Sequence, residues 1–301
     1  MLSGSEGFSR FQCLGKRGYD ASMSRAVLIL IVFSAIAFAS AMGVLLQLSG
    51  PPVIASSGAL SEHDLEVINA MSPQDQVKFL LEKTINHYKG APEEIDKRVD
   101  GWTGQIQKSS DLDAMTNTAY FSSDLRVRAA ALEIWLAQYG FHKNAEAVEG
   151  LIRDVSIADD KRYFRLSNLG ILGNRGIESE KVFQTLALYL RDPDPSTRSG
   201  AINGLGLLGT ENTIAALLDA FHNDTSHDLR ERAACNLADS GMLSREMRQK
   251  AVPELVRFSQ DPELDATTKK WVYQALREIT QKNLGDDPAP WISWYGAHAN
   301  R

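Results

Sequence analysis

The sequence predicts an all-α protein in which helical hairpins stack into a solenoid behind one transmembrane helix. Two observations lead to this fold class: a motif that recurs between about Arg126 and Thr280, and an uncharged apolar segment at residues 26–48. Successive copies of the motif are 34, 36, 32 and 39 residues apart. A period of this size is typical of arrays in which each unit is one pair of helices. The positions that anchor the copies are Arg128, Arg162, Arg198, Arg230 and Lys269.

Composition and charge are those of a folded protein with an acidic body. The chain has 301 residues, of which 44% are hydrophobic and 23% charged, and its net charge is −6. Residues 1–25 hold four basic and two acidic side chains, so the remainder carries −8. Because phosphate binding needs a basic face, this balance argues against nucleic acid as the main ligand. Cys13 and Cys235 flank the apolar segment, so no disulfide framework is predicted.

The apolar segment from Ala26 to Leu48 is predicted to be a signal-anchor helix. Its 23 uncharged residues would form a helix of roughly 35 Å, enough for a hydrocarbon layer of about 30 Å. A buried core helix of this length without a polar face would be unusual. Three basic residues precede the segment closely, whereas the first charge after it is Glu62. The positive-inside rule therefore places residues 1–25 in the cytoplasm and exports everything after residue 48 to the periplasmic or extracellular side.

A cleaved signal peptide is the alternative interpretation of the same segment. Met23 could be the true start, and Ala39-Ser-Ala41 resembles a cleavage site. The apolar run continues to Leu46, which favours an uncleaved, single-pass anchor in the cytoplasmic membrane. Cleavage near Ala41 would instead give a secreted form, and both interpretations export the same domain.

Residues 49–60 are predicted to be a linker and residues 61–121 an N-terminal helical cap. The linker is small, uncharged and proline-bearing. In the cap, Ser72 is a good N-cap with Pro73 in the first helical position, and this helix is expected to stop at Gly90. A second helix is expected to begin near Pro92. Terminal units of an array are atypical because one of their sides faces water.

Residues 122–283 are predicted to be the repeats, and their best copy carries a family resemblance. It contains an Asp-Pro-Asp-Pro turn formed by Asp192, Pro193, Asp194 and Pro195, then Arg198, then a run of Ala201, Leu205, Leu208 and glycines ending at Gly209. These residues resemble HEAT repeats, most closely the bacterial phycobilisome-lyase-like class. The resemblance implies a right-handed α-solenoid whose units are two antiparallel helices, the second opening with this turn and arginine. It is confined to the repeat and does not carry lyase activity across.

The residues support the same assignment independently of the family. Apolar stretches between the copies suit first helices; one example contains Val182, Leu186, Leu188 and Leu190. Glycines at 140, 173, 209 and 241 fall where left-handed C-terminal caps are expected. Asp194 and Arg198 could share charge-assisted hydrogen bonds along the stacked turns, or both could simply be solvated.

The segment 284–301 is predicted to be a C-terminal aromatic cap. Trp291, Trp294 and Tyr295 would share one side of a short helix. They could close the end of the solenoid or form an exposed ligand-binding patch. We favour closure because an uncapped end would expose apolar surface.

No catalytic motif, cofactor site or metal site is predicted. The sequence lacks paired metal-ligand spacings, a phosphate loop and a nucleophile elbow. His222 with Asp224 and His227 with Asp228 come nearest to a metal cluster, and we expect them in a solvated loop. The di-iron enzymes among HEAT-like proteins use His-Glu pairs, which this chain lacks.

The resemblance implies that second helices line a concave face, which would give a partner-binding stripe. A groove of this kind suits an extended peptide or another protein, whereas a small-molecule ligand is not expected. Any single position could equally be an ordinary solvent-facing residue. The stripe positions are Tyr163, Ser167, Ile171, Ser199, Asn203, Leu207, Glu231, Cys235, Asp239, Lys270, Gln274 and Glu278.

We therefore expect a membrane-anchored, non-enzymatic scaffold or adaptor that binds another protein through its concave face. Two alternatives remain open. One is an accessory subunit or enzyme of a lyase or cofactor-attachment type. The other is a cell-envelope structural protein that binds wall polymer through Trp291 and Trp294.

Overall fold

The computed structural model describes residues 58–298, and this part of the chain is helical throughout. No β-strand occurs within it, apart from one isolated bridge between Ala59 and Lys89. No helix in this range combines the length and the apolar character needed to cross a bilayer. The predicted cytoplasmic segment 1–25, the anchor 26–48 and most of the linker lie outside the described residues.

The helices follow one another with short connections, which keeps neighbours antiparallel. In chain order they are α1 (Glu62–Ala70), α2 (Pro73–Ile85), α3 (Ala91–Trp102), α4 (Ser110–Tyr120), α5 (Leu125–Gln138), α6 (Ala145–Val155), α7 (Arg162–Asn174), α8 (Ser179–Tyr189), α9 (Pro195–Leu208), α10 (Thr213–Asn223), α11 (His227–Cys235), a π-helical segment (Asn236–Ser240), α12 (Arg245–Gln249), α13 (Val252–Ser259), α14 (Ala266–Thr280) and α15 (Pro288–His298).

Helices α2 to α5 form an N-terminal bundle. Ser72 caps α2 by accepting a hydrogen bond from the backbone N–H of Asp75 at 3.2 Å. The helix ends at Ile85, so the prediction that it continues to Gly90 is wrong. The chain leaves the helix at His87, whose φ of 57° is left-handed, and Gly90 instead precedes α3. Helix α5 packs most extensively against α4 and α3 of this bundle and less against α7.

The repeated part is a stack of hairpins formed by α6/α7, α8/α9, α10/α11 and α13/α14. Second helices pack against second helices, and α7 against α9 is the closest of these contacts. A Cβ atom on Gly204 would lie 2.5 Å from the carbonyl oxygen of Leu166, and one on Gly170 would overlap the backbone of Gly204. Only glycine allows this approach. The arrangement is consistent with a HEAT-like solenoid.

The predicted glycine caps hold at two of four positions. Gly140 and Gly209 have left-handed φ angles of 78° and 59°. Gly173 lies inside α7, which continues to Asn174, and Gly176 takes the left-handed conformation instead. Gly241 is extended because the π-helical segment that follows α11 ends this second helix differently.

Arginines at the starts of second helices reach forward to the next unit. Arg162 contacts Asp192 at 3.4 Å, Arg198 contacts Asp224 at 2.9 Å, and Arg230 contacts Asp265 at 3.1 Å. We name this series the arginine ladder. Within the best copy, Asp194 is not the partner of Arg198, so that predicted pairing is wrong.

Asp194 is occupied as the N-cap of α9. Its carboxylate accepts the backbone N–H groups of Ser196 and Thr197 at 3.1 and 2.9 Å. These bonds, with one from the Thr197 hydroxyl, hold the pKa of Asp194 below its ordinary value. Arg198 also donates to the carbonyls of Asp192 and Pro193 in its own turn. The ladder therefore joins turns within and between units.

The helix α15 covers the last hairpin. Trp291 has no exposed surface, and its Nε1 donates to the carbonyl of Gly285 at 3.0 Å. Trp294 and Tyr295 are half-buried against the same core, and α15 packs on α13. The aromatic side chains thus close this end of the stack.

One predicted core position lies outside the core. Leu188 is 72% exposed, although its neighbours Val182 and Leu186 on α8 are buried. A residue two positions from Leu186 lies on the opposite side of a helix with 3.6 residues per turn. The apolar face of α8 is therefore narrower than the sequence indicates.

Candidate functional site: an inner groove with an arginine-lined cleft

The first half of the predicted binding stripe is buried. Ser167, Ile171, Ser199, Asn203 and Leu207 all lie in the interior, so the expectation that they face solvent is wrong. The cause is the close contact between α7 and α9, where the Asn203 Nδ2 donates to the Ser167 Oγ at 3.0 Å. Ile171 and Leu207 are part of the hydrophobic core. These five residues cannot offer a surface to a partner in this conformation.

The second half of the stripe lines a narrow depression between α11 and α14. Glu231 and Cys235 contribute one wall, while Gln274 and Glu278 contribute the other with Trp271. Alanines 234, 238 and 275 form its floor, which explains how the two helices come close enough to share it. Lys270 is exposed at the start of α14, and Tyr163 is half-buried beside Gly200. Partner binding by these stripe residues stays a prediction.

A wider cleft adjoins this depression. Its volume is about 240 Å³, and it shares Ala238 and Glu278 with the depression. We call the depression and the cleft together the inner groove. The remaining residues that line the cleft are Ser123, Leu125, Arg128, Asp239, Leu243, Arg245, Arg248, Ile279 and Gln281.

Two of the three arginines in the cleft are buried. Arg128 is 5% exposed and Arg248 7% exposed. The Arg128 Nη1 donates to the carbonyls of Asp239 and Gly241 at 2.9 and 2.7 Å. The Arg248 Nη2 donates to the same two carbonyls at 3.0 and 2.8 Å. These carbonyls end the π-helical segment, where unpaired acceptors and the negative end of the helix dipole favour cations.

The shared carbonyls bring two positive charges close together. Burial first, and then the charge of Arg128, lowers the pKa of Arg248 to about 10. Arg248 is therefore protonated at neutral pH. The charges of Asp239 and Glu278 act in the opposite direction and raise its pKa. The cleft thus holds three cations and two carboxylates.

The short helix α12 positions two of the arginines that line the cleft. Ser244 caps α12 by accepting the backbone N–H of Met247 at 3.2 Å, so α12 presents Arg245 and Arg248 one turn apart. Arg248 turns inward to the carbonyls, whereas Arg245 stays exposed at the mouth.

Helix α5 supplies the opposite wall and is fixed at both ends. Near its start, Arg128 binds the segment 239–241; further along, the buried Glu133 contacts Arg175 at 2.5 Å and Lys143 at 3.4 Å. Burial raises the pKa of Glu133, while the charges of Arg175 and Lys143 oppose that shift. Helix α5 is therefore attached both to the end of α7 and to the π-helical segment.

No sequence pattern singled out Arg245 and Arg248, and Arg128 was predicted only as a repeat anchor. Two arginines three residues apart after a serine are a weak local signal. These arginines line a cleft only because α5 contacts a segment more than 100 residues away, and no local sequence pattern encodes that contact.

The two histidines that came nearest to a metal cluster in the sequence lie outside the inner groove, and each pairs with an aspartate. His222 contacts Asp261 at 2.7 Å, and His227 contacts Asp265 at 3.7 Å. Within residues 58–298, no three histidine, cysteine or acidic side chains are grouped so that they could hold a metal ion.

Comparison with known proteins supports the repeat assignment. Residues 152–238 match the family model described as HEAT repeats, which supports a HEAT-repeat protein. The match spans α7 to α11, including the contact between α7 and α9 and one wall of the inner groove. Membership of the bacterial phycobilisome-lyase-like class stays a prediction. No curated protein matches the chain.

One solved structure with a similar trace is the crystal structure of an engineered protein, a target of the Northeast Structural Genomics Consortium. It is 15% identical, the similarity covers 72% of this chain and 95% of that chain, and the TM-score is 0.33. A likeness at this level supports no conclusion about function.

Proposed function

We propose that this protein is a non-enzymatic scaffold that binds another protein through the inner groove. HEAT repeats suggest a protein-interaction scaffold, and stacked repeats create extended binding surfaces. The observation that carries the proposal is the continuity of the depression with the arginine-lined cleft. Together they offer an apolar floor with charged walls, which suits an extended polypeptide.

The proposal includes anchoring by residues 26–48, with the described domain outside the cytoplasmic membrane. The uncharged length of that segment and the basic residues before it support this placement. The test is a reporter enzyme, active only outside the cytoplasm, fused after residue 301. We expect activity together with carbonate-resistant membrane association. A reporter active only in the cytosol would contradict the orientation.

Site-specific photocrosslinking in native membranes tests the groove. A photoreactive amino acid at Gln274, exposed on α14, should give a discrete adduct with one partner protein. The same substitution at Leu188, exposed on α8 away from the groove, is the matched control. Adducts of the same sizes and yields from both positions would refute binding through the inner groove.

A further inference from the structure

The charged side chains of the inner groove differ between the depression and the cleft. Glu231 and Glu278 lie on the walls between α11 and α14. At the other end the cleft carries the guanidinium groups of Arg128, Arg245 and Arg248. A partner segment lying in the groove would meet only carboxylates in the depression, and both the arginines and the carboxylates of Asp239 and Glu278 in the cleft.

The arginines of the cleft do not use all of their hydrogen-bonding and ion-pairing capacity. Arg128 is almost fully buried, and its Nε–H has no hydrogen-bond acceptor among the described residues. Arg245 is exposed at the mouth and has no carboxylate within salt-bridge distance in the described part of the chain. The main partners of Arg128 and Arg248 are neutral carbonyl oxygens. An incoming anion would therefore pair directly with Arg245, in addition to the attraction that Asp239 and Glu278 already exert on Arg248.

The acidic residues of the cleft limit which anion fits. Asp239 and Glu278 line the same 240 Å³ space as the arginines. They would repel a phosphate dianion more strongly than a carboxylate with a single charge. A planar carboxylate also matches the fork of a guanidinium group.

We propose that the cleft binds an aspartate or glutamate side chain of the partner protein, with Arg245 as the main contact and Arg248 and Arg128 behind it. This inference rests on the proposed function, since it names the chemistry of the partner segment in the inner groove. Glu231 and Glu278 would then favour a basic residue elsewhere in the same segment.

The experiment measures the binding of labelled twelve-residue peptides to the full chain by fluorescence anisotropy at low salt. The peptides share a neutral glycine, serine and alanine background with an aromatic residue, and differ only in a central pair: Glu, Gln, Lys or phosphoserine. We expect the Glu peptide to bind at least about tenfold more tightly than the Gln peptide, since charge-assisted hydrogen bonds have this magnitude. Arg245→Gln should remove most of that preference.

Arg191→Gln is the control, because Arg191 lies outside the inner groove, is 81% exposed and, within residues 58–298, forms an ion pair with Asp219. It should leave the peptide preference unchanged. Equal binding of the Glu and Gln peptides, no binding of any peptide, or an unchanged preference in Arg245→Gln would overturn the proposal. Tighter binding of the phosphoserine peptide would overturn it in favour of a phosphate site.

The outcomes also separate this proposal from the proposed function. If the Gln274 crosslink forms but Arg245→Gln has no effect on its yield or on the peptides, the scaffold function stands and the carboxylate site fails. If Gln274 gives no specific adduct while Arg245→Gln abolishes selective binding of the Glu peptide, the carboxylate site stands and the scaffold function fails.

Discussion

Arginine side chains stabilise this protein in two different ways. In the arginine ladder, Arg198 forms two hydrogen bonds to Asp224 across the boundary between units, at 2.9 and 3.1 Å. In the cleft, Arg128 and Arg248 instead bind the carbonyls that end the π-helical segment. The ladder contacts hold neighbouring repeat units together. The cleft contacts instead satisfy the carbonyls at the end of the π-helical segment, which has no regular helix cap.

Removing one ladder partner should be costly. The side chains of Arg198 and Asp224 are only 11% and 4% exposed, so Arg198→Ala would leave a buried carboxylate without its cation. We expect the free energy of unfolding to fall by about 3 kcal/mol. Urea unfolding followed by circular dichroism measures this. Arg191→Ala breaks an exposed ion pair and should change stability by less than about 1 kcal/mol. Similar losses in both variants would contradict the ladder's role.

The N-cap of α14 should make stability depend on pH. Hydrogen bonds from the Thr268 side chain and from the backbone of the first turn hold the pKa of Asp265 at about 2, against an ordinary 3.8. A lowered pKa means that the ionised group stabilises the fold above pH 3.8 and that this contribution is lost as pH falls through about 2.

Asp265→Asn keeps a cap acceptor but removes the charge. The stability difference between the wild type and this variant should be largest near neutral pH and shrink from about pH 4 to about pH 2. Urea unfolding of both proteins across that range gives the difference. A gap that stays constant down to pH 2 would show that the carboxylate charge does not contribute.

At the scale of elements, the close contact between α7 and α9 depends on two glycines, which have no side chain. Gly170 and Gly204 let α7 and α9 approach until their backbones touch. This contact also buries Asn203 and Ser167, which form a polar pair inside the stack. Alanine and glycine along a second helix thus mark a contact surface between units, not a free face.

Gly170→Ala should destabilise the fold although alanine favours helices. The added methyl group would overlap the backbone of Gly204, and we expect a loss of about 1–3 kcal/mol after relaxation. Gly150→Ala on α6 is the matched control, because its nearest new neighbour is the end of Arg153 at 3.8 Å. The control should be neutral or gain up to about 1 kcal/mol. Thermal unfolding of both variants tests this, and equal stability would sink the close-contact explanation.

The elements themselves were largely predictable, and their faces were not. Capping at Ser72, the turn before Arg198 and the repeat spacing are local signals that identify helices and their order. The side of a second helix that faces its neighbour depends on the distance between helices, which Gly170 and Gly204 set jointly across 34 residues of sequence. For this reason the five buried residues in the first half of the predicted binding stripe were wrongly expected to face solvent, while Glu231, Gln274 and Glu278 do line a groove.

At the scale of the whole molecule, both ends of the stack are covered, by the bundle α2–α5 and by α15. The cover at the C-terminal end depends mainly on Trp291, which is fully buried between the last hairpin and the loop at Gly285. The aromatic spacing in the sequence placed these side chains on one side of a short helix, and closure was favoured because an uncapped end would expose apolar surface. The crossing of α5 to the π-helical segment was not predictable, because it joins residues more than 100 positions apart through backbone carbonyls.

Truncating this aromatic side chain should weaken the entire stack. Trp291→Ala would open a cavity next to the core, and we expect a loss of about 3–5 kcal/mol. Ile292→Ala, at an exposed neighbouring position, should change stability by about 0.5 kcal/mol or less. Differential scanning calorimetry gives both values. A Trp291→Ala protein as stable as the Ile292→Ala protein would show that α15 is dispensable.

The crossing of α5 also bears on elasticity. Arrays whose turns touch only adjacent turns can stretch like a spring when their ends are pulled apart. Here Arg128 joins α5 of the N-terminal bundle to residues 239–241, so extension of the hairpins between them would require these hydrogen bonds to break. We therefore expect the distance between α5 and the π-helical segment to change little under tension, so that a bound segment would meet a template of nearly fixed length.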